Sequence, residues 1–97
     1  MQKQQILEQI KQQIMPILKK AEVTKAALFG SYVRGDNTKD SDIDILVDLP
    51  RGKSLFDLVH LQRDLKEELK REVDIVTYRS ICSYLKDSIL NNQYPLL

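Results

Sequence analysis

The segment that most constrains the fold is Asp42–Leu49, in which apolar and acidic residues alternate. Alternation with a period of two is typical of a strand whose two faces have different surroundings. It places these side chains on opposite faces: Ile43, Ile45 and Val47 on one, and Asp42, Asp44, Leu46 and Asp48 on the other. The pattern therefore predicts a strand with one apolar face.

Helical periodicity flanks this strand on both sides. Before it, spacings of four and three mark one apolar helix face, formed by Ile6, Ile10, Ile14, Ile17 and Leu18. Pro16 is expected to kink this helix or to start a new turn near Ile14. After the strand, Ser54 is a predicted N-cap with Asp57 at the capping-box spacing. The predicted buried stripe of this second helix consists of Leu55, Leu58, Val59, Leu61 or Gln62, Leu65 and Leu69.

Two more strands and one more helix complete the pattern. Residues 23–29 end in a short apolar run before Gly30, and Glu72–Tyr78 alternates again. A last helix is predicted to follow Ser80, with apolar residues at Ile81, Leu85, Ile89 and Leu90. The predicted fold is α/β, a small mixed sheet of three to four strands with helices packed on one face. At 97 residues, the chain is expected to form a single domain over residues 1–97.

Composition narrows the functional class. The net charge is only +1, so there is no overall field to attract nucleic acid or a membrane. The single cysteine, Cys82, excludes an internal disulfide and a cysteine-based zinc site. No apolar run approaches the roughly 20 residues that span a bilayer, and the polar start lacks the apolar core of a signal peptide. A cytoplasmic protein is expected.

Aspartates are concentrated between residues 36 and 48, where Asp36, Asp40, Asp42, Asp44 and Asp48 occur. Asp42 and Asp44 lie two apart on one strand face, so their carboxylates start about 6–7 Å apart. Such a pair can hold one or two Mg²⁺ ions for an in-line phosphoryl displacement, and Asp74 on the third strand could supply a third carboxylate. The alternative is a solvated strand edge, with Asp74 a simple exposed residue.

A second candidate element follows the first strand. Gly30 allows the backbone to approach a phosphate closely, and the N–H groups after it can donate to the phosphate together with the Ser31 hydroxyl. Arg34, one helical turn later, could contact a triphosphate or form a surface salt bridge with Asp36 or Asp40. Tyr32, inside this segment, could also contact a nucleotide that carries such a triphosphate.

The segment GSYVRGDNTKDSDIDILV combines Gly-Ser, Arg-Gly and Ser-Asp-x-Asp at the start of a strand. It resembles the signature of the DNA polymerase beta-type nucleotidyltransferase superfamily. The stretches LFGSYVRG, SDIDILVDLP and VDIVTYRS resemble its minimal nucleotidyltransferase branch, and the similarity covers nearly the whole chain.

The resemblance implies a role for each matching residue. Gly30 and Ser31 would hold the β- and γ-phosphates, and Asp42 and Asp44 would ligate two Mg²⁺ ions. Asp74 would complete the second metal site near the attacking hydroxyl. Arg34 would be a phosphate or structural contact.

The resemblance also implies a biological setting. Members of the branch are often antitoxins that move AMP from ATP to a tyrosine of a HEPN-type toxin, an RNase. A complex with that partner is then expected, without direct binding of nucleic acid or a membrane. The alternative is a non-catalytic antitoxin that neutralises the toxin by covering it; transfer to a small molecule is a third possibility. The apolar tail Tyr94–Leu97 could belong to the partner interface or end the core.

Overall fold

The computed structural model describes residues 3–80 and 91–97. Its elements in chain order are α1 (Lys3–Lys20), β1 (Lys25–Phe29), α2 (Ser31–Arg34), β2 (Ile43–Asp48), α3 (Leu55–Leu69), β3 (Val73–Thr77) and β4 (Tyr94–Pro95). A single 3₁₀ turn, Tyr78–Ser80, follows β3. The last predicted helix, with its apolar residues at 81, 85, 89 and 90, lies outside the described residues.

The four strands form one mixed sheet in the order β3-β2-β1-β4. β1 is antiparallel to both β2 and β4, whereas β2 and β3 run parallel. Parallel strands need a long crossover, and α3 supplies it by connecting the end of β2 to the start of β3. The predicted α/β fold with a small mixed sheet is therefore confirmed.

The core lies between the sheet and the two long helices. α1 contributes Leu7, Ile10, Ile14 and Leu18, α3 contributes Leu61 and Leu65, and the sheet contributes Ile43, Ile45 and Val47 among others. Pro16 lies inside α1, which continues to Lys20. No helix in the described part of the chain is long and apolar enough to cross a membrane.

The prediction of one apolar face for β2 is wrong at Leu46, which is fully buried. Leu46 is in register with Ala27 on β1 and with Val76 on β3. These three residues form an apolar row across the middle of the sheet face that also carries Asp44 and Asp48. That face is therefore acidic toward the ends of β2 and apolar at its centre.

The predicted stripe of α3 is also wrong at two positions. Leu55 and Val59 are 74% and 56% exposed, and the neighbouring Phe56 is 78% exposed. The buried side follows spacings of three and four through Leu61 and Leu65. Val59 does not share the orientation of these residues, because each residue is turned about 100° from the one before it.

Local signals at the other element ends are confirmed. The Asp57 carboxylate accepts a hydrogen bond from the backbone N–H of Ser54 at 2.6 Å, which completes the capping box of α3. The tail forms β4, whose Tyr94 pairs with Leu28, and Leu96 is buried. Through Leu96 the tail ends the core, which was one of its two predicted roles.

Candidate active site

Gly30, the residue between β1 and α2, has a conformation that other residues avoid. Its φ of 80° and ψ of −152° fall in a region that is essentially restricted to glycine. A Cβ atom at this position would lie 2.1 Å from Oδ2 of Asp44. Glycine is therefore required here for two reasons: the backbone angle, and the close approach of a carboxylate from the neighbouring strand.

Ser31 begins α2, a single helical turn directly after that glycine. The N–H groups of Val33 and Arg34 donate to the carbonyl of Gly30 at 3.1 and 3.0 Å, which fixes the turn against the end of β1. Ser31 is half-buried. The predicted phosphate-binding pair and the acidic strand are thus adjacent, since Asp44 lies against Gly30.

The sheet register brings the three predicted carboxylates together. Asp44 pairs with Asp74 across the parallel strands, so their backbones are about 4.8 Å apart. Asp42 directly precedes β2 and lies two residues from Asp44. Asp42 and Asp74 are exposed and Asp44 is half-buried. The three residues lie at the N-terminal ends of β2 and β3, and there they form an acidic edge of the sheet that is open to solvent at Asp42 and Asp74.

The pKa of Asp44 reflects both its partial burial and the charges around it. It is raised from the ordinary value of 3.8 to about 6, first because the carboxyl is partly removed from water. The negative charges of Asp74 and Asp42 raise it further, and the positive charge of Arg34 opposes the rise. A site that crowds acidic groups in this way is suited to binding a cation, because a cation would remove the repulsion.

The donor chemistry also fits Mg²⁺, which prefers carboxylate oxygens and keeps several waters. Among residues 3–80 and 91–97, no three His, Cys, Asp or Glu side chains already surround a common metal position. The register places Asp44 and Asp74 side by side, and Asp42 and Asp74 are exposed. The three residues therefore fit Mg²⁺ in donor type, and a shared site would require their side chains to turn toward a common position.

Arg34 forms one of the two contacts considered for it, the surface salt bridge, while its contact with a triphosphate stays a prediction. Its Nε atom lies 3.3 Å from Oδ2 of Asp36, in an exposed salt bridge. Its charge also lowers the pKa of Asp44, so it acts on the acidic edge as well.

Two residues of this region were misjudged or missed from the sequence. Tyr32, considered as a nucleotide contact, is only 5% exposed, and its hydroxyl accepts a hydrogen bond from Arg71. Arg71 was not singled out, since it lies within a run of charged residues and 39 positions from Tyr32. No local motif could have paired them.

Comparison with known proteins gives a consistent result. The family model described as "Nucleotidyltransferase domain" matches residues 7–93. MJ0435 of Methanocaldococcus jannaschii, a protein assigned as a protein adenylyltransferase, is 50% identical over 94% of this chain and 98% of its own length. A solved structure assigned as a minimal nucleotidyltransferase has a TM-score of 0.82 at 29% identity, covering 95% of this chain and 94% of the other. A toxin–antitoxin crystal structure with AMP-PNP has a TM-score of 0.77 at 27% identity, covering 90% of this chain and 72% of the other. The chain belongs to the nucleotidyltransferase domain family, and it is an enzyme of that class.

Proposed function

We propose that this chain transfers AMP from ATP to a hydroxyl, most simply a tyrosine hydroxyl, of a HEPN-type RNase toxin and thereby acts as its antitoxin. The observation that carries the proposal is the contact between Gly30 and Asp44, with Asp74 in register on the next strand. Phosphate-binding backbone and cation-binding carboxylates are adjacent there, as a metal-bound triphosphate requires.

Each site residue has a role in this proposal. Gly30 and Ser31 bind the β- and γ-phosphates. Asp42 and Asp44 would hold two Mg²⁺ ions, and Asp74 would complete the ligands of the second ion near the attacking hydroxyl. Once bound, the ions supply positive charge that stabilises the attacking and leaving oxygens.

Arg34, the remaining proposed site residue, is exposed and has an alternative partner, Asp36. To contact the triphosphate it would exchange its exposed salt bridge with Asp36 for a phosphate. Exposed pairs of this kind contribute only about 0–1 kcal/mol, so the exchange would cost little.

The reaction is a substitution at the α-phosphorus of ATP. The acceptor oxygen forms a bond to phosphorus, the bond to pyrophosphate breaks, and the hydroxyl proton is released. Most of the catalysis is positioning and neutralisation of charge, and the carboxylates would contribute by holding the cations that neutralise the triphosphate.

The acceptor is proposed to arrive on another protein. The Asp42 and Asp74 carboxylates are exposed, so a folded partner can present a side chain next to them. We propose that residues 1–97 act as one domain, in complex with the partner and in the cytoplasm, where ATP is available. The relative assigned as a protein adenylyltransferase and the toxin–antitoxin structure with AMP-PNP support this choice of acceptor.

The test uses ATP labelled at the α-phosphate, Mg²⁺, this chain and the protein encoded beside it. We expect covalent label on the partner with the wild type and with Asp40→Asn, which changes an exposed loop carboxylate. We expect no label with Asp42→Asn or Asp44→Asn. Mass spectrometry of the labelled peptide would identify the acceptor residue.

The outcomes separate catalysis from simple binding. A tight complex without any transfer would make the chain a binding antitoxin. If Asp44→Asn protects cells from the toxin as well as the wild type does, the catalytic proposal is also contradicted, even when the wild type transfers AMP in vitro. Label transferred to a small molecule without a partner would change the acceptor class.

A further inference from the structure

Arg71 lies in the short connection between α3 and β3, three residues before Asp74. Its side chain is half-buried and points back toward the two motif segments. The proposed function gives it no role.

The guanidinium of Arg71 contacts both motif segments at once. Its Nη1 atom donates a hydrogen bond to the Tyr32 hydroxyl and lies 3.4 Å from the carbonyl oxygen of Ser41. The guanidinium carbon is 5.7 Å from the centre of the Tyr32 ring, within range of a cation–π interaction.

Both contacted residues are next to proposed site residues. Tyr32 follows Ser31 in α2, and its side chain is buried in the core. A contact that holds the Tyr32 ring therefore also holds α2 in position. Ser41 directly precedes Asp42. Arg71 therefore joins the phosphate-binding turn to the loop that carries the first carboxylate.

The loop before Asp42 also has hydrogen bonds of its own and to its neighbours. The Thr38 N–H donates to the Ser41 hydroxyl at 2.7 Å, and the Ser41 N–H donates to the Thr38 carbonyl at 3.1 Å. At its end, the Ile43 N–H donates to the Glu72 carbonyl at 3.0 Å.

The Gly35 and Asp36 N–H groups donate to the Ser31 carbonyl at 2.9 and 3.1 Å, which attaches the start of the loop to α2. The Arg71 contacts join the far end of the loop, at Ser41, to the same helix.

We infer that Arg71 is a positioning residue for nucleotide transfer: by contacting Tyr32 and Ser41 it sets the distance between the Gly30-Ser31 turn and Asp42. It does this without touching the nucleotide. The inference rests on the proposed roles of Ser31 and Asp42. Lysine cannot replace arginine fully, because a single ammonium lacks the planar guanidinium that stacks on the ring and also donates.

The experiment compares Arg71→Ala, Arg71→Lys and Tyr32→Phe with Arg51→Ala as control. Arg51 is an exposed arginine in the turn after β2, at the other end of that strand from Asp42. Amide hydrogen exchange is measured on the free proteins, and kcat and KM for ATP are measured in the transfer assay well below the melting temperatures.

For Arg71→Ala we expect kcat to fall about 10- to 100-fold, because small displacements of reacting groups carry costs of that size. Protection of the Ser41 and Ile43 amides should fall about 10-fold or more, because the loop opens locally. Arg71→Lys should restore part of kcat, and Tyr32→Phe should lower kcat less than Arg71→Ala. Combining Tyr32→Phe with Arg71→Ala should add little to the loss in Arg71→Ala, because both changes remove the same contact. Arg51→Ala should match the wild type.

A purely structural role gives a different result. If Arg71→Ala and Arg71→Lys lower the melting temperature but leave kcat within about twofold of wild type, the positioning role is refuted. Unchanged exchange at Ser41 and Ile43 refutes it as well. If the wild type transfers nothing to any acceptor, the proposed function fails instead, and the exchange measurement still decides whether Arg71 orients the loop.

Discussion

Replacing Asp44 by Asn is expected to stabilise the protein in the absence of divalent cations. The Asp44 carboxylate is partly withdrawn from water and lies near two further negative charges, those of Asp74 and Asp42. Asparagine has nearly the same shape and carries no charge. The substitution therefore removes an electrostatic cost of folding while keeping the packing against Gly30.

The size of the effect follows from the pKa of Asp44. A rise from 3.8 to about 6 corresponds to about 3 kcal/mol, at 1.36 kcal/mol per pH unit. Since the side chain is only half-buried, solvent screens part of this, and about 1–2 kcal/mol is expected. For a chain of this size, that corresponds to an increase in melting temperature of about 5–10 °C.

The pH dependence of the effect has a definite sign. Because the folded-state pKa of Asp44 is raised, the charged carboxylate destabilises the folded state fully above pH 6. As the pH falls below 6, the folded state takes up the proton first, and the penalty disappears by about pH 3.8. The advantage of Asp44→Asn should therefore be constant above pH 6 and vanish between pH 6 and about 3.8.

The assay is thermal or urea unfolding from pH 8 to pH 4 with a chelator present. Asp64→Asn, which neutralises an exposed carboxylate on α3, should change the free energy of unfolding by less than about 0.5 kcal/mol. An Asp44→Asn protein no more stable than wild type at pH 8 would refute the account of crowded charge. So would an advantage that grows as the pH falls.

The other expected results concern binding, backbone conformation and packing. Mg²⁺ with a non-hydrolysable ATP analogue should raise the melting temperature of the wild type and not of Asp44→Asn; equal increases would show that Asp44 is not a ligand. Gly30→Ala should lower the free energy of unfolding by about 1–3 kcal/mol through backbone strain alone, which a lower urea midpoint would show, and it should abolish transfer. A variant that is active and as stable as the wild type would contradict the contact between Gly30 and Asp44. In the same unfolding assay, Leu65→Ala should lower the free energy of unfolding by about 2–5 kcal/mol, because Leu65 is fully buried. Phe56→Ala should lower it by less than about 0.5 kcal/mol, because Phe56 is exposed; a loss as large as that of Leu65→Ala would show that the start of α3 is not exposed in solution.

Much of the site could be predicted because its residues lie at or near strand ends, where a short stretch of sequence is enough to recognise them. Gly30 after an apolar run and Asp44 in an alternating segment are visible one strand at a time. Asp74 stands out in the same way, as the acidic residue of the next alternating segment, and the register places it beside Asp44.

The errors came from contacts that no short segment encodes. Leu46 is buried and lies in register with Ala27 and Val76 of the neighbouring strands, a position that alternation within β2 cannot show. Arg71 and Tyr32 meet only after the sheet has formed. Periodicity gave the correct helix α3, but it could not tell that Leu55 would remain exposed.

Strand β2 both forms part of the buried core and carries a charged site residue, and these two roles have opposite effects on stability. β2 is an interior strand of the sheet, and the side chains of Ile43, Ile45 and Leu46 are among the most deeply buried in the described chain. The same strand places Asp44 against Gly30 and beside Asp74, where its charge opposes folding. The burial around Asp44 therefore keeps a destabilising carboxylate in place, and the proposed Mg²⁺ site would use this same charge. Removal of the charge should for that reason strengthen the fold and, if the proposed function holds, abolish the transfer.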